Sequence, residues 1–428
     1  MKRQLLIVSV LTGLAQLAAF FKLWFTAHIF GVSSELDGYN LALVTPTLIS
    51  GLLSGLLQVG LFPVRSKIGT TGPAAETAAF DRTVWWGYAA LGALLVGILF
   101  LLSGWLGTVI VPVNQTATLT AFLSVMPLAA FLVAIGMMTD CSGYILAMRG
   151  SFLTAASAPV ANGLLGGIML AVWPQGGLDC LIWGTVCGAA LQLAICVYRF
   201  QRISFHLLGP LAIRDRRPFK EISRLGAWAL PGVAFSNIAV SLPPIWAASF
   251  GEGAVSAFGY AYRLHLSAVQ LLVMASSTMI LARFSELVAV GDTQSVRRLL
   301  KKAALLSLGL GICAIVGVAS LGEYILTLLF SGKFDGDAAE KVTQLWVWLS
   351  VGLGFNLLGN VFAKLWQAQA RPILLSLMGG AGLMMLCLSY FILRDFVGEQ
   401  TIAIAITCSS ISGVLLGIKF LNPPKRKL

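Results

Sequence analysis

Apolar positions in this chain neither alternate with polar ones nor recur only at helical spacing. They come in long runs, twelve by our count, at roughly 4–30, 38–64, 84–105, 118–147, 153–173, 180–199, 225–249, 255–282, 303–330, 342–368, 372–393 and 401–420. Runs of about 20 residues suffice for a helix to cross a hydrocarbon core of about 30 Å. Inside such a core, only helices and closed barrels satisfy every backbone N–H and C=O. The pattern therefore predicts an all-α integral membrane protein with about twelve transmembrane helices. The stretch 303–330 reads as one span or as a span with a short interfacial helix. Between 285 and 302, apolar residues at helical spacing end in Arg297, Arg298, Lys301 and Lys302. This predicts an amphipathic helix at the inner leaflet, anchored to anionic lipid. Pro46, Pro159, Pro231 and the Pro243–Pro244 pair mark bends within spans.

Composition agrees with the pattern. Of 428 residues, 58% are hydrophobic and 11% charged, against about 25% charged in soluble domains. The first run contains Lys22 and outlasts the 7–15 apolar residues of a cleavable signal, so it reads as a retained span. The seven cysteines stand singly, with no CxxC pair and no metal-ligand spacing.

Charge orients the spans. With the N-terminus in the cytoplasm, 23 of the 29 Lys and Arg residues fall at or beyond inner span ends and three lie on the outside. This asymmetry follows the positive-inside rule. It predicts a multi-pass protein of the cytoplasmic (inner) membrane with both termini cytoplasmic. The net charge of +12 is thus a topology signal and requires no nucleic-acid partner. The longest basic segment, after the sixth span, divides the chain into a six-helix lobe (1–199), a cytoplasmic linker (200–224) and a second six-helix lobe (225–428). A weak internal repeat supports two related halves. Ala27 to Gly31 precedes Gly38-Tyr39, much as Ala248 to Gly251 precedes Gly259-Tyr260.

Lys22, Arg263 and Lys364 lie within apolar spans. A cation at membrane depth costs at least about 2.5–3.5 kcal/mol, so such residues usually face a polar cavity. All three would attract an anion, and the guanidinium fork of Arg263 suits phosphate in particular. Snorkelling to the interface is the competing explanation, strongest for Lys364. His265 follows Arg263 by two residues and points to another face. Asn356, Asn360 and Lys364 form a polar stripe at i, i+4, i+8. Asp140 lies within the fourth span, where it would pair with a cation or carry a coupling ion.

These residues also carry a resemblance. Leu11-Thr12-Gly13 through Lys22, Ala27 to Gly31, Asp37-Gly38-Tyr39, Pro46 and Phe62-Pro63-Val64 resemble the opening of the lipid II flippases (MurJ/MviN type). These belong to the multidrug/oligosaccharidyl-lipid/polysaccharide (MOP) exporter superfamily, which includes the MATE transporters. The likeness continues through Arg149 to Phe152, Ala158-Pro159 to Asn162 and Ala229-Leu230-Pro231. It resumes at Tyr260 to Leu264 and at Gly291-Asp292 to Arg298. The resemblance implies two pseudo-symmetric six-helix lobes around a central cationic cavity of alternating access. The resemblance places Lys22 and Arg263 at positions where the family has cavity arginines, and Lys364 on a basic position of the tenth span. Asp37 matches a family aspartate at the outer end of the second span. Four positions depart: Gln16, Ser50 and Gly51 replace arginines, and Tyr262 replaces an aspartate. The family usually has fourteen spans, against twelve here.

The implied activity is flipping of a polyprenyl-pyrophosphate-linked saccharide (lipid II or a related cell-envelope precursor) from inner to outer leaflet. No cofactor is expected. Cell-envelope biosynthesis proteins are candidate partners. The alternatives are a MATE-like antiporter exporting small organic compounds and a transport-inactive membrane scaffold. The chain has no GxxxxGK[ST], HExxH or GxSxG motif, so no sequence signature nominates a catalytic pair.

Overall fold

The computed structural model describes residues 2–71, 73–212, 217–369 and 371–421. Among them are thirteen α-helices and no strand. In chain order these are α1 (Lys2–Phe30), α2 (Ser34–Thr71), α3 (Ala74–Ile110), α4 (Thr116–Ala129), α5 (Phe131–Met148), α6 (Phe152–Val172) and α7 (Gly177–Arg202). They are followed by α8 (Arg217–Ala247), α9 (Ala254–Val290), α10 (Thr293–Leu329), α11 (Gly336–Ala368), α12 (Pro372–Val397) and α13 (Thr401–Lys419). Each of the twelve expected spans falls on one helix, except that 118–147 is divided between α4 and α5. The division lies at Ala130, three residues after Pro127. Pro127 has no N–H to give the preceding turn. Val133 N–H then reaches only three residues back, to the Ala130 carbonyl, at 3.1 Å. By contrast, α2, α6 and α8 run on through Pro46, Pro159, Pro231, Pro243 and Pro244.

The interfacial helix expected over 285–302 is not a separate element. Its first residues finish α9 and its last begin α10. Gly291, at φ +77°, takes the left-handed conformation that lets Asp292 N–H return to the Leu287 carbonyl at 3.0 Å. Asp292 then caps α10, its Oδ1 accepting from Ser295 N–H at 2.9 Å. A tight C-cap followed directly by an N-cap leaves no residues for a third helix. The stretch 303–330 is likewise one continuous helix within α10.

Two compact units result. Residues 1–237 and 251–256 form the first, and 238–250 with 257–428 form the second. In the first, α1 and α6 pack backbone to backbone: a Cβ on Gly163 would lie 2.6 Å from the Ala18 carbonyl carbon. Small residues allow this approach, which between lipid-embedded helices replaces the hydrophobic drive available in water. In the second, α10 meets α11 at Gly311 and Gly354, where a Cβ on Gly311 would fall 2.8 Å from Gly354 Cα. Thr407 on α13 donates to the Trp348 carbonyl of α11 at 2.7 Å. The rings of Trp246 and Tyr390 stack at 4.1 Å, joining the end of α8 to α12.

The segment read as a linker is held to the first unit where it is described. Buried Arg82 on α3 donates to the carbonyls of Pro210 (3.0 Å) and His206 (3.3 Å), and Trp86 Nε1 donates to that of Leu207 at 3.1 Å. Phe205 is buried edge-on against Phe200. Arg214 and Arg216 of this segment lie outside the described residues.

Candidate functional site

Lys22 occupies a slot made by four helices of the first unit. Its Nζ on α1 donates to Thr185 Oγ1 on α7 at 2.6 Å. The same oxygen lies 2.7 Å from the hydroxyl of buried Tyr39 on α2. Thr185 spends its own proton on the Leu181 carbonyl at 2.7 Å, so its oxygen is left to accept from both neighbours. Gly166 on α6 completes the slot, because a Cβ there would lie 2.9 Å from Lys22 Cδ. The helices thus leave room for the lysine stem and fix its head with a neutral partner. Among the described residues no carboxylate pairs with Lys22, so the ammonium keeps its net charge and two further donors.

Asp37 begins α2 and is fully buried. Its two oxygens accept from the Gly253 and Ser256 N–H groups at 2.6 Å each. Those groups are orphan donors at the start of α9, where the helix dipole also favours negative charge. Ser256 Oγ in turn lies 3.3 Å from Ser33 N–H, the donor. Asp37 therefore ties the start of α2 to the start of α9 through backbone donors.

Of the other expected residues, Asp140 belongs to the first unit, and Arg263, Asn356, Asn360 and Lys364 belong to the second. Asp140 is exposed on α5 beside Ser54, with no Lys or Arg paired to it among the described residues. Arg263 is exposed on α9, whereas His265 is buried, which puts the two on different faces. On α11, Asn360 Nδ2 donates to the Asn356 carbonyl (3.0 Å) and Oδ1 (3.1 Å), so the polar stripe is a linked pair. Half-buried Lys364 donates to Gln367 at 3.2 Å. Asn360 and Lys364 line a groove of about 450 Å³ in the second unit, together with Lys302 of α10. The structure thus groups Lys22 with Tyr39 and Thr185, and Lys364 with Asn360 and Lys302.

One charge cluster had no counterpart in the sequence reading. Asp81 on α3 is fully buried and accepts from Arg65 of α2 (3.2 and 3.3 Å) and from Arg149 at the end of α5 (2.7 and 3.1 Å). Arg65 also donates to the Met148 carbonyl at 3.3 Å, and the Arg149 guanidinium lies 4.1 Å from the centre of the Phe205 ring. Asp81 sits just before the run starting at 84, in a basic stretch where a carboxylate reads as solvated. The one available signal was that Arg65, Asp81 and Arg149 all lie at the same ends of their spans.

The lipid II flippase MurJ family model matches residues 26–427, starting four residues after Lys22. The chain is 24% identical over 254 residues to the probable lipid II flippase MurJ of Rhizobium meliloti (strain 1021). That match covers 56% of this chain and 45% of that protein, so the chain spans about half the length of this relative. It is 22% identical over 384 residues to the lipid II flippase MurJ of Burkholderia cenocepacia, covering 86% and 73% of the two chains. Among solved structures, a lipid II flippase MurJ in an inward closed conformation superposes with a TM-score of 0.83 at 16% identity, over 97% of this chain and 87% of that one. An inward-facing MATE multidrug transporter of the MOP superfamily superposes at 0.75 and 14% identity, over 96% and 93%. At such identities the superpositions establish the fold, while the family model covers nearly the whole sequence; the chain belongs to the lipid II flippase MurJ family.

Proposed function

We propose that this protein is an alternating-access flippase that moves a polyprenyl-pyrophosphate-linked saccharide, lipid II or a related cell-envelope precursor, from the inner to the outer leaflet. One observation carries the reading: Lys22 sits within a span, is held by the neutral Thr185 hydroxyl and has no carboxylate partner among the described residues. Leaving such a charge uncompensated in the protein alone is costly, and a pyrophosphate would compensate it. The fully ionised diphosphate offers several acceptor oxygens to the remaining ammonium donors. Arg263, exposed on α9, is the second proposed phosphate ligand, with Asp140 as a site for a coupling cation. Asp37 supports the site by capping the first turn of α9. The 1–199 and 225–428 lobes are the proposed moving parts, with both termini cytoplasmic and the protein acting as a transporter without catalysis of its own.

The test is native mass spectrometry of the purified protein. A polyprenyl pyrophosphate should be retained by the unaltered chain and released by the double variant Lys22→Gln, Arg263→Gln. Flipping of a fluorescent lipid-linked saccharide in proteoliposomes should fall at least tenfold in the same variant. Retention and flipping unchanged by both substitutions would sink the proposal and favour the scaffold reading.

A further inference from the structure

The groove between α9, α10 and α11 lies wholly within the second unit, and its chemistry is divided along its length. Lys302 and Lys364 lie at one end, with Asn360 one helical turn from Lys364. Beyond them the wall is apolar, with Leu306, Leu310, Leu357 and Val361 among its residues. The two lysines share that end because α10 and α11 are consecutive helices joined by a short turn. The start of α10 therefore lies level with the end of α11. From Lys302 to Leu310 is eight residues, or roughly 12 Å along the helix at about 1.5 Å per residue. That depth is close to half the hydrocarbon core of about 30 Å, the thickness of one leaflet.

Three features point to the occupant. Water does not fill a space walled by leucine and valine, because it finds too few polar partners there. Neither Lys302 nor Lys364 pairs with a carboxylate among the described residues; Lys364 meets only the neutral Gln367. The excess of Lys and Arg also assigns the lysine end to the cytoplasmic face, where anionic headgroups make the membrane surface negative. Basic pockets between transmembrane helices on that face suit anionic lipid headgroups.

We propose that this groove is a binding site for an anionic glycerophospholipid of the cytoplasmic leaflet, with its phosphate between Lys302 and Lys364 and one acyl chain along the apolar wall. Asn360 shares its amide hydrogens with Asn356, which leaves its carbonyl oxygen free to accept from a headgroup hydroxyl. The site is distinct in its residues from the Lys22 slot, and the inference does not rest on the flippase reading.

The test uses the full chain, stripped of lipid in a neutral detergent. It is then exposed to phosphatidylglycerol, phosphatidylethanolamine or undecaprenyl phosphate at equal concentrations and read by native mass spectrometry. One phosphatidylglycerol should be retained, at least tenfold more than phosphatidylethanolamine. The double variant Lys302→Gln, Lys364→Gln should lower that retention at least tenfold. Leu306→Trp, which fills the groove and leaves both charges in place, should lower it as well. Lys302→Arg with Lys364→Arg should keep it, which guards against misfolding of the glutamine variant. Equal retention of the two phospholipids, or phosphatidylglycerol binding that survives both the glutamine and tryptophan changes, would overturn the proposal. So would undecaprenyl phosphate displacing phosphatidylglycerol from the unaltered chain but not binding the glutamine variant, because the groove would then belong to the cargo. Failure here leaves the Lys22 and Arg263 experiment standing, since the two tests alter different residues.

Discussion

Lys22 Nζ lies 2.6 Å from Thr185 Oγ1, and that single neutral contact fixes a membrane-embedded cation that no carboxylate of the described residues neutralises. A carboxylate partner would have cancelled the charge; a hydroxyl positions it and leaves it available.

The first prediction concerns the slot itself. Gly166→Ala places a methyl group 2.9 Å from Lys22 Cδ and pushes the lysine stem aside without removing its charge. Transport in proteoliposomes should fall several-fold while the Lys22→Arg variant, which keeps a cation, retains part of its activity. Thr185→Val should behave like Gly166→Ala, since it removes the acceptor that aims the ammonium. Full activity in both would show that the position of Lys22 is immaterial.

Asp37 offers a cleaner division between structure and coupling. Its carboxylate accepts two α9 backbone N–H groups at 2.6 Å. Asp37→Ala should destabilise the protein by about 1–2 kcal/mol, the scale of a lost helix cap. Asp37→Asn keeps one acceptor oxygen and should recover roughly half of that, read as the thermal midpoint in detergent. If Asp37→Asn is as stable as the native chain yet inactive, Asp37 acts in coupling and its capping role is secondary.

At the other end of the first unit, Asp81→Asn leaves Arg65 and Arg149 facing a neutral amide inside the protein. Removing one partner from a buried ion pair costs about 3–5 kcal/mol. Arg149 is 20% exposed and Arg65 14%, so Arg65→Gln should cost more than Arg149→Gln. Thermal unfolding monitored by tryptophan fluorescence would order the three variants.

A pH dependence follows from the turn between α9 and α10. The hydroxyl and N–H of Ser295 hold the Asp292 carboxyl below the usual carboxylate range. A depressed folded-state value means the cap stabilises the protein above the unfolded value and is lost as pH falls through the folded one. The hydrogen-exchange protection of the first turn of α10, relative to the intrinsic rate at each pH, should therefore be high at neutral pH and fall below about pH 4, near the unperturbed aspartate value. In Asp292→Ala, protection should be low at both pH values. A turn equally protected in the two proteins would refute the cap.

The twelve spans were legible because each depends on a local quantity, the length of an apolar run measured against the hydrocarbon thickness. The charged slots were not, since the partner of a buried charge depends on which helices become neighbours. Lys22 stood out in the sequence as an intramembrane cation, but Thr185 lies 163 positions away and reads as an ordinary small residue of a span. Asp81 carried no signal in the sequence, because nothing local shows that Arg65 and Arg149 converge on it. The break at Ala130 was also invisible, because Pro127 resembles the prolines at 46, 159 and 231 through which helices continue. Lys364 stood out as one more intramembrane cation, but only the packing of α10 on α11 sets it beside Lys302. The sequence alone determined the helical membrane architecture, the family, and which cations are unusual. Tertiary packing decided what each charge faces, because a charge is stabilised by contacts a few ångströms away, made by segments that folding alone brings together.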